Sequence, residues 1–380
     1  MDLSYSDEQK QIKEGVERFV REQYAFETRR KIAASDRGWL PENWAKFAEL
    51  GWLGMSFSED DGGFGGGMVE TAILMEAFGS GLVLEPYLPT VILGGGLLAS
   101  GGNAAQKEAL LAPMIGGEKQ FAVAYVEKQS RYNLADVAVT AKKSGGGYVL
   151  SGHKGVVYNA ASADTIFVTA RTSGGQRDEK GITVFAIDAK AKGITRRDYP
   201  TQDALRASEV TFDNVSAGAD AVVGQVDNGL ALFEGVLDRA IVALCAEAVG
   251  CMDALNKQTL EYIKTRKQFG VPIGKFQVLQ HRMVDCFTNA QEARSMTLMA
   301  TLKIDDPDAT VRKKAASGAK VQIGKSGKFV GQSAVQMHGG MGVTDELAVS
   351  HYFKRLTMVD TLFGSSQHHL TRYGNLSMAA

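Results

Sequence analysis

Apolar positions recur at helical spacing through the first part of the chain, change to alternating or run-on patterns in the middle, and return to helical spacing near the end. Ser4-Tyr5-Ser6-Asp7-Glu8-Gln9 supplies a serine cap and early acids, and Ile12, Val16, Phe19 and Val20 follow on one helical face. Pro41 opens a second helix with Trp44, Phe47 and Leu50 on its apolar side. The acidic, glycine-rich run from Glu59 to Gly67 reads as a mobile polar loop. Helical pattern resumes over 68–78, over 90–100 after the turn Glu85-Pro86-Tyr87, and over 104–114. These stretches predict an all-α domain over 1–120.

Near Phe121 the texture changes. Alternating or β-branched segments at 137–141, 148–150, 165–170, 182–187 and 209–212 are separated by turns such as Ser144-Gly145-Gly146-Gly147. They predict a small antiparallel β domain over 121–226. After Asp227-Asn228-Gly229 come four helical blocks, roughly 229–266, 277–304, 309–336 and 345–362. Short loops between them predict an antiparallel four-helix bundle over 227–380. At 1.5 Å rise per residue the first block would be about 55 Å long. The whole reads as an α+β chain in the order α, β, α, with no internal repeat.

Bulk properties narrow the partners. A formal net charge of −1 gives no electrostatic case for nucleic acid or an anionic membrane. The start of the chain lacks an apolar signal region or an Arg/Ser-rich transit pattern, and no apolar run is long enough to span a bilayer. Cys245, Cys251 and Cys286 are odd in number, without CxxC spacing, and lie in apolar helical patterns. That fits reduced core thiols and a cytoplasmic protein.

Two stretches carry candidate chemistry. Thr265-Arg266-Lys267-Gln268-Phe269-Gly270-Val271-Pro272-Ile273-Gly274-Lys275-Phe276-Gln277 sits between two long helices. Arg266 suits a pyrophosphate, Phe269 can pack on a flat ring, and Gln277 can donate to a phosphate or ring carbonyl. A plain Gly/Pro turn with an exposed arginine is the alternative. Gln336-Met337-His338-Gly339-Gly340-Met341-Gly342 ends the third block with a glycine cluster whose backbone N–H groups can approach a ligand closely.

Together these motifs resemble the acyl-CoA dehydrogenase family of flavoproteins, which carries R-K-x-F-G…Q at the same spacing and Q-x-x-G-G-x-G after the next helix. The resemblance runs from Met1 to about Gln367. Glu85-Pro86-Tyr87-Leu88 and the run from Leu244 to Gly250 are similar to a two-subunit branch. The resemblance implies an N-terminal helical domain, a middle β domain and a C-terminal bundle. It also implies FAD held through Val126 (by its backbone N–H), Asn159, Arg266, Phe269, Gln277, Gln336, Gly339, Gly340, Ser365 and Gln367. Ser130 and Arg239 become substrate contacts. The reaction is α,β-desaturation of an acyl-CoA thioester, as in β-oxidation, with an electron-transfer flavoprotein as acceptor. The resemblance points to dicarboxylic, steroid-side-chain or otherwise bulky acyl groups.

The chain departs from the family pattern at three places. The family's Y-E-G-T-S-Q, whose glutamate is the catalytic base, reads Leu362-Phe363-Gly364-Ser365-Ser366-Gln367, so Phe363 stands at the base position. The flavin-flanking W-I-T-N reads Val156-Val157-Tyr158-Asn159. The loop T-E-P-G-A-G-S-D reads Val126-Glu127-Lys128-Gln129-Ser130-Arg131-Tyr132-Asn133. Some family members place the base on the first bundle helix. Asp238 and Glu247 are the candidates there, each with an ion pair as its alternative: at the surface for Asp238, across the bundle for Glu247. Nine residues separate them, so they face opposite sides of one helix. His338 reads as a helix-end packing residue. His368-His369 make a poor metal pair, and no spacing for a metal site exists. Three functions follow: a subunit working with a larger homologue that keeps the base, in an α₂β₂ heterotetramer; a self-sufficient homomeric dehydrogenase using Asp238 or Glu247; or a non-catalytic structural or CoA-binding subunit that binds no flavin.

Overall fold

A computed structural model describes residues 4–378 and divides the chain into two compact units. One comprises 32–67 and 84–240; the other comprises residues up to 31, 68–83 and 241 onward.

The first of these is built on a sheet of β1 (Phe121–Ala124), β2 (Thr140–Ser144), β3 (Gly147–Tyr158), β4 (Thr165–Arg171), β5 (Ile182–Asp188), β6 (Ile194–Pro200), β7 (Arg206–Gly218) and β8 (Val222–Val223). Its order is β6-β7-β3-β2-β4-β5-β8, with β1 beside β4. The expected antiparallel sheet is in fact mixed, because β1 runs parallel to β4 from Phe121↔Thr165 to Ala124↔Val168. Every residue of β4 is buried. A strand covered on both faces reads as a continuous apolar run. β3 slips register against β7 at Gly152 and again between Lys154 and Val157. Such bulges bend a strand and re-aim its side chains. Helices flank the sheet within this unit. Thr90, in the π-helical turn Leu88–Gly95, accepts from the Phe121 N–H and donates to its carbonyl, both at 3.2 Å. Gly94 and Gly95 are required there, since a Cβ would lie 2.6 Å from Phe121 and from Phe57 respectively. The Glu59–Gly67 stretch is a folded turn: Gly63 N–H reaches Ser58 O at 2.9 Å, and Lys107 pairs with Asp61 at 2.9 Å.

The second unit is helical. It holds Asp7–Gln23 behind a Ser6 capping box, Met68–Gly81, the later part of Gly229–Thr265, Gln277–Lys303, Ala309–His338, Ala348–Thr361 and Ser366–Met378. Two glycines let a pair of these helices touch backbone to backbone. A Cβ on Gly79 would lie 1.9 Å from Glu247 O, and one on Gly250 would lie 1.8 Å from Glu76 O. The four expected bundle blocks are present, joined by an unexpected fifth helix, Ser366–Met378. No helix among the described residues is long and apolar enough to cross a membrane.

Candidate active site

In the helical unit, the predicted Gly/Pro corner is a miniature hairpin. Lys267–Gln268 pairs with Val271–Pro272, leaving Phe269-Gly270 as a two-residue turn with φ of +53° and +80°. Two positive φ values in succession define a type I′ turn. The turn thrusts Phe269 into solvent at 91% exposure, edge-on to Phe276 at 6.0 Å. Arg266 and Gln277 flank it, both exposed. Across the bundle, Gly339 caps Ala309–His338 with φ +61°, donating to Gln336 O. Gln336, Gly339 and Gly340 are exposed, and a Cβ on either glycine would meet nothing within 4 Å. The two motifs are anchored side by side. Tyr262, one helical turn before Arg266, stacks on His338 at 4.2 Å and 25°. His338 is a packing residue, its Nδ1 2.8 Å from Ala334 O, and burial lowers its pKa. A guanidinium, an exposed ring, two amides and an uncrowded stretch of glycine backbone are therefore all exposed in these two neighbouring motifs. That donor set fits a pyrophosphate with an attached flat ring.

The base position is differently built. Phe363 is buried, with φ +63°, and Gly364 follows at +117°. Fully buried Lys320 donates to Gly364 O at 2.6 Å and Asp360 O at 3.0 Å. His369 bonds to Phe363 O at 3.1 Å and Ser317 Oγ at 3.2 Å. Burial pushes the Lys320 ammonium down to about 8 and the His369 imidazole down to about 3. Ser365 Oγ accepts from His368 N–H at 3.3 Å, at the start of the last helix, and Gln367 is exposed on it. Lys320 had a faint signal in the sequence, a lone cation in the small-residue run Ala315-Ala316-Ser317-Gly318-Ala319.

Glu247 forms a two-pronged pair with Arg355: Oε1 to Nε at 2.6 Å and Oε2 to Nη2 at 2.8 Å. Both side chains are buried. This is the cross-bundle ion pair weighed as its alternative. Asp238, assigned to the other unit, is 4% exposed, so a surface pair does not describe it; Arg239 beside it is half-buried.

In the β unit, the sequence-predicted ring-side residues are spent inward. Asn159 Nδ2 donates to Phe121 O at 3.1 Å, Gln120 Oε1 at 3.3 Å and Thr90 Oγ1 at 3.4 Å. Ser130 Oγ closes its own turn, donating to Glu127 O at 2.9 Å and accepting from Glu127 N at 3.1 Å. Val126 O accepts from Gly155 N–H at 2.9 Å. Val156, in the β3 bulge, has φ +50° and is 39% exposed. A buried network missed in the sequence holds this loop. Lys154 Nζ donates to Glu127 Oε1 at 2.7 Å and Thr169 Oγ1 at 3.0 Å, while Ala138 N–H donates to Glu127 Oε2 at 2.8 Å. Burial works against the Glu127 anion, but Lys154 and the donors around it hold the carboxyl below its ordinary range. Among the described residues no group of His, Cys, Asp or Glu could hold a metal.

Known proteins share this architecture. Family models described as the acyl-CoA dehydrogenase N-terminal, middle and C-terminal domains match residues 6–118, 122–215 and 227–375. Mitochondrial isovaleryl-CoA dehydrogenase of Solanum tuberosum is 30% identical over 96% of this chain and 89% of its own length. A variant of the Tcur3481–Tcur3483 steroid ACAD superposes with TM-score 0.88 at 27% identity, covering 98% of each chain. The ChsE4–ChsE5 complex from Mycobacterium tuberculosis has the same fold at TM-score 0.90 and 24% identity, with both chains fully covered. Family matches along nearly the whole length, on a mixed sheet flanked by helices and a helical bundle, agree: the chain belongs to the acyl-CoA dehydrogenase family, flavin-dependent oxidoreductases acting on acyl-CoA.

Proposed function

We propose that the chain is one subunit of an FAD-dependent acyl-CoA dehydrogenase catalysing α,β-desaturation, and that a larger homologous subunit carries the catalytic glutamate in an α₂β₂ enzyme. One observation carries the reading: Arg266, Phe269, Gln277, Gln336, Gly339 and Gly340 stand open to solvent, while the base position holds a buried phenyl ring. A phenyl ring accepts no proton, and a C–H beside a thioester is too weak an acid to lose one unaided. When bound, the flavin supplies the hydride acceptor. This chain's part is to grip the phosphate end of a flavin seated on the partner. The most specific resemblance is to the small subunit of pimeloyl-CoA dehydrogenase. The stretches behind it serve packing here: Glu85 Oε1 accepts from Asn43 at 3.0 Å and Leu40 N–H at 3.3 Å, and 244–250 includes Glu247 and the tight-packed Gly250. We place the enzyme in the cytoplasm, with an electron-transfer flavoprotein as acceptor and domain limits of 1–120, 121–226 and 227–380.

A homomeric dehydrogenase would need a base on the helix Gly229–Thr265. Glu247 is committed to Arg355, which leaves Asp238. Asp238→Asn in the assembled enzyme tests that role. Turnover reduced by less than twofold is expected; a fall of about a hundredfold or more, the range for a lost general base, would restore the homomeric reading. Phe363→Glu in the chain expressed alone is expected to give no measurable acyl-CoA oxidation, because the carboxylate alone does not rebuild the ring-side contacts at Val126 and Val156. Substantial activity of that single variant with a ferrocenium acceptor contradicts the subunit reading.

A further inference from the structure

We infer that Tyr262 and His338 form a stacked clasp that sets the distance between the arginine corner and the glycine turn, so that both reach the same dinucleotide. The inference rests on the half-site reading above and deepens it: it adds two positioning residues that act through their neighbours.

Each motif is stiff in itself. The Arg266 N–H donates to Tyr262 O at 2.8 Å, and the Arg266 carbonyl accepts from Ile273 N–H at 2.8 Å across the hairpin. Gln280 Nε2 donates to Gly274 O at 2.9 Å, tying the return of the hairpin to the next helix. On the other side, the glycine turn folds back on His338: a Cβ on Gly342 would lie 3.0 Å from the His338 Cβ and 2.6 Å from Val335 O. The His338 ring is fixed in turn by Ala334 O, 2.8 Å from Nδ1. A carbonyl only accepts, so Nδ1 carries the proton and the bond sets the ring's orientation.

A pair of rings joins the two. Tyr262 and His338 stack with centroids 4.2 Å apart and planes at 25°, and the Tyr262 hydroxyl donates to His338 O at 3.5 Å. At that length the hydrogen bond is weak, so the ring contact carries the clasp. Tyr262 stands one turn below Arg266 on the same helical face, and His338 directly precedes Gly339. A shift at the stack therefore moves the donors on both sides at once. Donors held at a fixed spacing before the ligand arrives cost less to order on binding, which is what a diphosphate gripped from two helices requires.

The test is a double-mutant cycle on the FAD affinity of the assembled two-chain enzyme, read by equilibrium dialysis and flavin fluorescence. Tyr262→Ala and Tyr262→Leu, which lose the flat ring, are expected to bind FAD about tenfold more weakly, equivalent to about 1.4 kcal/mol, while Tyr262→Phe, which keeps it, stays within about threefold of wild type. In an Arg266→Ala background, Tyr262→Leu is expected to cost less than about threefold further, because a clasp that acts by placing Arg266 has little left to place. Turnover per bound flavin is expected to stay at the wild-type value, since the pair acts on retention of the flavin. Full additivity in the cycle, or a fall in turnover at full flavin occupancy, would reduce the pair to general packing and overturn the inference. If Arg266→Ala itself retains FAD, the half-site reading falls and the inference with it. If Arg266→Ala loses FAD while Tyr262→Ala and Tyr262→Leu, shown to be folded by circular dichroism, bind it as wild type does, the clasp alone is overturned.

Discussion

Arg266→Ala strips FAD from the assembled enzyme. Arg266 is exposed beside a type I′ turn, so its guanidinium is available to a ligand. Hydrogen bonds to a charged group contribute about 1.5–3 kcal/mol each, and a fork-shaped grip on a pyrophosphate makes two. Loss of about 3 kcal/mol weakens FAD binding by roughly a hundredfold. Being a surface position, it leaves the stability of the chain within about 0.5 kcal/mol of wild type. Flavin absorbance per protein after gel filtration reads the first effect, and urea unfolding of the chain reads the second. Full FAD retention in this variant would mean that the hairpin is only a turn.

Glu247→Gln destabilises the helical unit by about 3 kcal/mol, the lower range for breaking a buried pair. Glutamine keeps one acceptor oxygen for Arg355 but sets an amide NH₂ against its other N–H, so the buried guanidinium loses one hydrogen bond and its counter-charge. Replacing both residues together by methionine recovers most of that loss, since a buried pair and a well-packed apolar pair are often close in stability. Urea unfolding of the two variants measures this directly. Wild-type stability for Glu247→Gln, combined with a more than tenfold loss of turnover at full flavin content, would assign Glu247 to catalysis instead.

The long elements were legible because their patterns are local. The bundle helices 229–265, 277–303, 309–338 and 348–361 match the apolar spacing closely. What was illegible depends on neighbours. β6 is an exposed edge strand, Ile-Thr-Arg-Arg-Asp-Tyr-Pro, and shows no alternation because neither face is covered. The helix Ser366–Met378 buries only His369 and carries Gly374 in its interior, so periodicity does not mark it. Phe26–Ala34 is short and mostly polar. In the site, the outward motifs could be read from residue types and spacing. The Glu247–Arg355 pair spans 108 residues, and the Lys320 contact to Gly364 spans 44. Only the fold could bring those partners together.

Flavin stoichiometry tests the account most directly. In an α₂β₂ enzyme containing this chain, two of the four half-site pairs seat the flavin ring on the larger subunit and grip its phosphates with Arg266, Gln336 and their neighbours. The other two would need this chain to seat the ring, against Phe363, Val126 and Val156. Absorbance of released flavin against total protein in the purified complex is predicted to give two FAD per tetramer, with none on this chain expressed alone; four FAD per tetramer would contradict the account.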